Sequence, residues 1–256
     1  MSATHDSHSA CTFTVAASVA WAHTLAGGSN LVLAVYAGQS AGTLQPVTTV
    51  TYGAQSLARI ASSKFTTTNT SAEWWKLPDG TPPSGNQTIT VTLTDTNTAE
   101  LSCGAIVAKD ASQTTPVFGT PAGANDTSGA SPSISQTVPS GTDELSVCAF
   151  SQTIGNRGIT TTSGTEAWNM GTGGQGQGSG SYITGSASAV HTWTSADVST
   201  WSVCGVSIKA KPAPPSPPKS KNRTTLMRSG IATFPAELDV KTWYRSLVDC
   251  LRMVFA

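Results

Sequence analysis

The sequence is short of charge: Asp, Glu, Lys and Arg make up 11% of its 256 residues, against about 25% in a typical soluble domain. The polar residues are instead mostly Thr, Ser, Gly, Asn and Gln, and Thr favours strands because its branched Cβ suits a pleated sheet. Residues that favour helices are scarce before the last twenty positions. This composition is typical of an extracellular or virion β protein and unlike that of a cytosolic enzyme.

Other missing features narrow the interpretation. The sequence contains no run of about eighteen apolar residues, which a membrane-spanning helix would need. Its start, MSATHDSHSA, lacks the basic segment of a secretory signal, so we expect no leader. No two cysteines have the CxxC spacing of a zinc site. We interpret Cys103, Cys148 and Cys204, which lie in apolar runs such as LSVCAF, as small buried hydrophobic side chains, with a disulfide among them as the alternative.

Charge is unevenly placed along the chain. Residues 1–208 contain five basic and eleven acidic residues, whereas residues 209–256 contain nine basic and three acidic ones. The body therefore lacks the basic stripe of a nucleic-acid-binding surface. We predict no nucleic-acid partner.

Short apolar or alternating runs separated by turn signals predict strands throughout residues 11–210. Two stretches are repeated: residues 25–39 resemble 138–152, and residues 99–112 resemble 200–211. This repetition indicates two similar halves joined by a polar crossover. Because an open sheet buries its apolar face only against another layer, we predict that the halves cover each other. The expected fold is all-β, a two-sheet antiparallel sandwich of the jelly-roll kind.

Prolines mark the end of this predicted domain. Five of them lie within seven positions of KPAPPSPPKSKNR, residues 211–223, and favour an extended linker. Beyond the linker, apolar residues recur at helical spacing and predict one C-terminal amphipathic helix. We therefore divide the chain into a disordered N-terminus (1–10), the β-sandwich domain (11–210), the Pro-rich linker (211–223) and a C-terminal helical anchor segment (224–256).

The apolar face of the C-terminal helix predicts a partner-binding surface, which docks into another protein or bundles with copies of itself. We assign to it Val240, Trp243, Tyr244, Leu247, Leu251, Val254 and Phe255. Two alternatives stay open, since the helix could fold back on its own sandwich or lie on a membrane. The mixed sign of its polar face argues against the membrane.

Two histidines of the body each have a tryptophan two residues away: His23 follows Trp21, and His191 precedes Trp193. On a strand this spacing places both side chains of a pair on one face. We interpret the pairs as packing contacts, with a stacking patch or a metal pair as the alternative. No third ligand is suggestively spaced, so we predict neither a metal nor a cofactor.

Acids beside aromatic residues are the remaining candidates for chemistry. Glu73, next to Trp74 and Trp75, is the best single carboxylate, and Glu166 is the second. Glycoside hydrolysis needs two carboxylates facing each other in a cleft, and we interpret Glu73 instead as the solvent-facing neighbour of a core tryptophan. The alternative is a glycan-binding patch. We assign to that patch Trp74, Trp75, Trp168 and Trp193.

The body resembles a jelly-roll-like β-sandwich module of bacterial surface proteins and tailed-phage virion proteins. The likeness is carried by AHTLAGGSNLVLAVYAG, VTTVTYGAQSLARIA, AEWWKLPDGTPPSGNQTITVTL, CGAIVAKDASQTTPVFGT, DELSVCAF and WSVCGVSIKAK. It implies the fold and transfers no catalytic residue, and the C-terminal segment is not part of it.

These features together predict an accessory structural protein of a phage or phage-like virion, without enzymatic activity. It would be a head decoration or fibre protein, with the tail a less favoured position, assembled in the host cytoplasm and displayed on the virion surface. Its partners would be other virion proteins and copies of itself. The alternative is a carbohydrate-binding or adhesion module, extracellular or at the cell surface, that recognises a host-surface glycan. An enzyme acting on polysaccharide ranks last.

Overall fold

A computed structural model describes residues 2–12, 14–25, 30–40, 43–77, 83–95, 99–128, 133–155, 158–170, 175–195 and 199–213. These residues contain strands and no helix, which confirms the prediction of an all-β body. Residues 1–213 form one compact unit. The predicted anchor helix and most of the predicted linker lie outside the described residues.

The strands are numbered in chain order. They are β1 (Thr4–Ala10), β2 (Thr14–Ala16), β3 (Ser18–Leu25), β4 (Val32–Ser40), β5 (Val47–Tyr52), β6 (Gln55–Ser56), β7 (Ala58–Thr66), β8 (Thr70–Lys76), β9 (Gly85–Leu93), β10 (Ala99–Lys109), β11 (Ala122–Asp126), β12 (Ser133–Val138), β13 (Leu145–Gly155), β14 (Ile159–Ser163), β15 (Thr165–Met170), β16 (Gln175–Thr184), β17 (Ala189–Ser195) and β18 (Trp201–Ile208).

The strands pair into four antiparallel sheets. The first half of the chain forms a six-stranded sheet, β1-β10-β4-β8-β7 with β2 also paired to β10, and a four-stranded sheet, β3-β9-β5-β6. The second half forms a five-stranded sheet, β11-β18-β13-β16-β15, and a three-stranded sheet, β12-β17-β14. We call the six- and five-stranded sheets the first and second inner sheets, and the other two the first and second outer sheets.

The inner sheets are covered on both faces. Along β13, Val147 and Ala149 belong to the large core that includes residues of the first half, whereas Cys148 and Phe150 belong to a smaller core shared with Ile134 of the second outer sheet. Each half is therefore a two-sheet sandwich, and the inner sheets pack against each other.

The prediction of a sandwich with two sheets in total is therefore wrong. It assumed that each half forms a single sheet, whereas each half forms two. The continuous apolar runs LVLAVYA and LSVCAF are typical of strands buried on both faces. By contrast, the outer strand β3 alternates strictly between exposed and buried residues, as expected for a sheet with one face in water.

Small side chains let the inner sheets approach closely. Gly104 of the first inner sheet leaves room for the Trp168 ring of the second, since a Cβ at residue 104 would lie 2.5 Å from ring atom Cε2. Hydroxyl groups also meet across the interface: Tyr36 Oη lies 2.8 Å from Ser151 Oγ, and Ser151 Oγ lies 2.9 Å from Ser102 Oγ. Buried polar groups are therefore satisfied between the halves.

The prediction of disorder in residues 1–10 is wrong for most of that range, because Thr4–Ala10 forms β1. This strand pairs with β10 along its length, and the preceding Ala3 N–H donates a 2.7 Å hydrogen bond to the Asp143 carbonyl oxygen. The His5 ring stacks on Tyr182 of the second inner sheet, with 4.0 Å between ring centroids. Residues 4–10 lack apolar alternation, and they are ordered by backbone pairing and by this contact.

Candidate functional site

The four tryptophans of the predicted glycan patch are buried. Trp74 and Trp193 are 0% exposed, Trp168 is 6% exposed and Trp75 is 8% exposed. Trp74 and Trp168 also lie near each other, 6.4 Å between centroids, inside the body. A sugar ring cannot stack on enclosed indoles, so this assignment is corrected. The adjacent Trp74 and Trp75 point to opposite faces of β8, and both are enclosed because β8 belongs to an inner sheet.

Glu73 is enclosed as well, at 1% exposure, which overturns its interpretation as solvent-facing. Its Oε2 lies 3.5 Å from Arg59 Nη1, and its Oε1 has no hydrogen-bond partner in the described structure. Burial raises the pKa of Glu73, while the positive charges of Lys64 and Arg59 oppose that rise. The carboxyl group has no open cleft around it in which a substrate could sit.

Glu166, the other acid considered from the sequence, has a different setting. It lies in β15 of the second half, and its Oε2 accepts hydrogen bonds from Thr161 Oγ1 at 2.9 Å and Asn169 Nδ2 at 3.2 Å. Glu73 is closed off from solvent whereas Glu166 is exposed, so the two acids do not share an open cleft. This is not the setting of a facing carboxylate pair, which needs both acids in one cleft.

Of the two histidines of the body, His191 packs on its tryptophan as the sequence spacing predicts. His191 stacks on Trp193, with 6.1 Å between centroids, and its ring nitrogens lie 2.8 Å from Ser146 Oγ and 2.7 Å from Ser181 Oγ. Burial lowers the pKa of His191 to about 3. In the part of the chain that the structure describes, no three His, Cys, Asp or Glu side chains converge on a point that could hold a metal ion.

His23 shares a partner with the tryptophan beside it. Ser9 Oγ accepts a 2.9 Å hydrogen bond from Trp21 Nε1 and lies 2.7 Å from His23 Nδ1. Burial, followed by the charge of His8, lowers the pKa of His23 to about 4. The ring is thus part of the packing beneath β1.

Cys103, Cys148 and Cys204 are buried free thiols, as predicted, and so is Cys11. Burial raises the pKa of Cys103 and of Cys148. A side-chain hydrogen bond from Cys103 lowers the pKa of Cys11, which lies opposite it where β1 ends. These thiol side chains are part of the hydrophobic cores.

A groove of about 480 Å³ opens on the body, and we take it as the candidate functional site. Its walls are residues 60–62 of β7, Lys76 at the end of β8, residues 115–121 of the crossover between the halves, and Lys209 just after β18. The volume lies within the usual range of small-molecule sites, about 300–1,000 Å³.

A bulge in β7 opens this groove. Pairing with β8 is interrupted after Arg59 and resumes at Lys64, so that four residues of β7 oppose Trp74 alone. Ser62 has a φ of 60°, a left-handed conformation that is uncommon for a residue other than glycine. Ser63 Oγ donates to the Trp74 carbonyl oxygen at 2.9 Å and accepts from the Trp74 N–H at 3.2 Å. The backbone of β8 is thereby satisfied while its neighbour bends away.

Two lysines define the charge of the groove. Lys76 Nζ lies 5.9 Å from the centroid of the Phe118 ring, within the range of a cation–π contact. Lys209 Nζ lies 3.0 Å from Glu144 Oε1. No carboxylate is among the described residues that line the groove. The wall is therefore apolar around Phe118 and positive at both lysines.

Sequence reasoning missed this site. Residues 113–137 are polar, and this composition predicts a simple crossover. The sequence PVFG, in which an aromatic residue lies between a proline and a glycine, is the unusual feature of this region. Lys76, Phe118 and Lys209 come from separate strands and a loop, so no spacing along the chain brings them together.

The body thus belongs to the class of all-β, sandwich-like proteins, and the groove beside Phe118 is large enough for a small molecule. No protein-family model matches the chain, and no curated protein or solved structure does so either. The residues assigned to the anchor helix, 240–255, lie outside the described residues.

Proposed function

We propose that the chain is an accessory structural protein of a phage or phage-like particle. It displays the β body at the particle surface and attaches, or associates with copies of itself, through the C-terminal segment. The observation that supports this most is the division of the chain. The eighteen strands of the described residues belong to a unit that ends at Ala213, whereas the amphipathic pattern of residues 240–255 follows the proline-rich linker.

The surface of the described body also favours attachment through another part of the chain. Val15 and Val190 are the exposed large hydrophobic residues among those described, at 46% and 44% exposure. Stable interfaces have apolar, aromatic-rich centres, and two isolated valines do not supply one. Trp243, Tyr244 and Phe255 would supply one from the C-terminal segment.

Among the residues that the structure describes, none belongs to a helix with the length and apolar character of a membrane span. We propose protein partners, namely other virion proteins and copies of the chain, and a location on the virion surface.

The mass of the purified protein in solution tests the role of the C-terminal segment. We expect the full chain to associate, and we expect a chain ending at Ala213 and the full-length double variant Leu247→Asp, Leu251→Asp to be monomeric. Arg245→Asp, on the expected polar face, is the matched control and should leave the mass unchanged. If the full chain and both variants associate into the same number of copies, self-association through this segment is excluded.

Incorporation into particles tests display itself. Tagged full-length and truncated chains are expressed in the host that carries the gene while particles assemble, and their copy number is measured in purified particles. We expect only the full chain to be incorporated. Truncated chain at the normal copy number would contradict anchoring, and the absence of both chains from particles would contradict the virion assignment.

A second function, recognition of a surface saccharide, is favoured by the groove beside Phe118. With the four tryptophans buried, the groove still offers a sugar ring an aromatic side chain to lie against, that of Phe118. Binding of host-surface polysaccharide to the full chain, reduced by Phe118→Leu, would support this function. Because Phe118 is partly buried, the thermal unfolding of the variant must be measured beside its binding.

A further inference from the structure

Two thiols lie opposite each other where the N-terminal strand ends. Ala10 of β1 pairs with Gly104 of β10, and the N–H of the next residue, Cys11, donates a 3.0 Å hydrogen bond to the Cys103 carbonyl oxygen. Residues that are directly opposed in an antiparallel pair have Cα atoms about 4.5–5.5 Å apart. That separation lies within the range that a disulfide spans, about 4.4–6.8 Å.

The side chains of these two cysteines also meet. Both are part of the large core, and the Cys103 N–H donates a 3.3 Å hydrogen bond to Cys11 Sγ. The Cys103 thiol makes a further hydrogen bond to the Cys11 side chain, and the Cys11 thiol donates to Met170 Sδ at 3.8 Å. The Cys11 sulfur therefore points toward Cys103 and away from solvent.

Cys148 and Cys204 provide a contrast within the same body. They lie on the paired strands β13 and β18, where Ala149 is the residue opposite Cys204. Cys204 belongs to the large core and Cys148 to the smaller one, so their side chains lie on opposite faces of the second inner sheet. A disulfide cannot join these two residues without displacing a strand, whereas Cys11 and Cys103 already share a face.

The backbone beside Cys11 is already irregular. Pairing with β10 resumes where Thr14 lies opposite Leu101. Thr14 is four residues after Ala10, whereas Leu101 is three residues before Gly104, so the register shifts by one residue. An extra residue of this kind interrupts the regular ladder. A small shift of Cys11 toward its neighbour therefore does not break a regular stretch of pairing.

The two sulfurs differ in access and in acidity. Cys11 is 5% exposed and is followed by the exposed Thr12, whereas Cys103 is fully enclosed. Hydrogen bonding by Cys103 lowers the pKa of Cys11, and burial raises the pKa of Cys103 well above its ordinary value. Because the thiolate is the nucleophile in oxidation, the reaction begins at Cys11.

We propose that Cys11 and Cys103 form a disulfide when the protein meets a peroxide, and that this bond covalently joins β1, an edge strand of the first inner sheet, to β10. The Cys11 thiolate attacks one oxygen of hydrogen peroxide, the O–O bond breaks, and hydroxide leaves and takes up a proton. The Cys103 sulfur then attacks the resulting Cys11 sulfenic acid, the S–O bond breaks, and a second water leaves. Two thiols and one hydrogen peroxide thus give one disulfide and two water molecules, with two electrons passing from the sulfurs to the peroxide.

This inference goes beyond the proposed function and does not depend on it. The bond closes a loop that runs from Cys11 to Cys103, and a cross-link of that kind constrains the unfolded chain and stabilises the folded one. Thiols stay reduced in the cytoplasm and oxidise outside the cell. On a displayed virion protein the bond would therefore form after release from the host.

The test treats the reduced full chain with a small excess of hydrogen peroxide for several hours, followed by catalase, alkylation of the remaining thiols and trypsin digestion. Trypsin cleaves at least once between any two of the five cysteines, so mass spectrometry of the peptides identifies each linked pair. We expect the Cys11 peptide linked to the Cys103 peptide, and separation of the two by dithiothreitol. The thermal unfolding midpoint should rise by about 4–15 °C on oxidation.

Three variants of the full chain identify the roles of the thiols. Cys103→Ser should leave the Cys11 sulfenic acid unresolved, so that dimedone traps it, and oxidation should no longer raise the midpoint. Cys11→Ser should leave Cys103 as a free thiol. Cys148→Ser is the matched control, since it also removes a buried thiol and should form the bond as the unmodified chain does. Trapping by dimedone reports the order of the chemistry, which a purely structural role of Cys103 would not affect.

Three results would overturn the proposal. If Cys11 and Cys103 of the folded unmodified chain remain free thiols after oxidation, the pair is inert, and this result does not depend on how any variant folds. A bond from either residue to another cysteine would show that strand pairing does not direct the reaction. A bond between Cys11 and Cys103 that lowers the unfolding midpoint would show that it distorts the sheet and does not secure β1.

Discussion

The indole Nε1 of Trp74 donates a 2.9 Å hydrogen bond to the carbonyl oxygen of Cys204, 130 residues further along the chain. Trp74 lies in the first inner sheet and Cys204 in the second, so one side chain spans the interface between the halves. Nearby, Thr70 Oγ1 lies 2.7 Å from Ser202 Oγ across the same interface. The two inner sheets are therefore joined by specific hydrogen bonds as well as by apolar contact.

Replacing Trp74 with Phe should destabilise the protein by about 1–3 kcal/mol beyond the loss of packing, because the buried Cys204 carbonyl loses its donor. Chemical denaturation of the full chain measures the free energy of unfolding. Trp168→Phe is the matched control, since it removes a similar volume but its Nε1 has no hydrogen-bond partner in the described structure. Equal losses in the two variants would show that the Trp74 hydrogen bond adds nothing.

Gly104→Ala should also destabilise the body, by about 1–3 kcal/mol, since overpacking forces neighbouring atoms apart. The new Cβ would lie 2.5 Å from the Trp168 ring, and a ring between two sheets has little freedom to move. At Gly158 a Cβ would meet nothing within 4 Å, so Gly158→Ala should change stability by no more than about 0.5 kcal/mol. If the two variants unfold at the same denaturant concentration, the close approach of the inner sheets is not as described.

The sequence predicts the layer-forming strands better than it predicts the layers. Alternation in β3 correctly indicates one buried face, whereas continuous burial in β4 and β13 indicates two covered faces, which a two-sheet sandwich does not provide. The repeated stretches reveal two halves, but the number of sheets in each half depends on strand order. That order is set by pairing between residues far apart in the chain, such as Tyr36 with Gly104.

The candidate site could be predicted from the sequence even less well than the sheets. A tryptophan in a strand has the same local sequence whether its indole faces solvent or a second sheet, so Trp74 and Trp75 could not be placed from their neighbours. The groove could not be predicted either, because its wall depends on the bulge after Arg59 and on the path of the crossover. Both features follow from tertiary packing.

Burial of the body tryptophans predicts a distinct fluorescence behaviour. In a full-length Trp243→Phe variant the remaining six tryptophans all lie in the body and are at most 9% exposed. We expect blue-shifted emission and weak quenching by acrylamide, and strong quenching once the protein is unfolded in denaturant. Efficient quenching of the folded protein would show exposed indoles and would restore the tryptophan patch as a glycan surface.

Acid should destabilise the body through its buried histidines. The pKa of His191 is lowered from an ordinary value of 6.5 to about 3, and that of His23 to about 4, with burial as the main cause. Between pH 6.5 and these values the unfolded chain binds protons that the folded chain does not. Stability therefore falls as the pH decreases through this window, by up to about 1.4 kcal/mol per pH unit for each histidine.

The variant His191→Gln isolates this contribution. It loses the hydrogen bonds to Ser146 and Ser181, so it should be less stable at pH 8, where both histidines are neutral in either state. The informative quantity is the slope of unfolding free energy against pH between 6.5 and 4, measured by urea denaturation. We expect a shallower slope in His191→Gln, and a shallower one still when His23→Gln is added. A slope identical to that of the unmodified chain would mean that His191 takes up its proton without unfolding, which its enclosure between Trp193 and the two serine hydroxyls makes energetically costly.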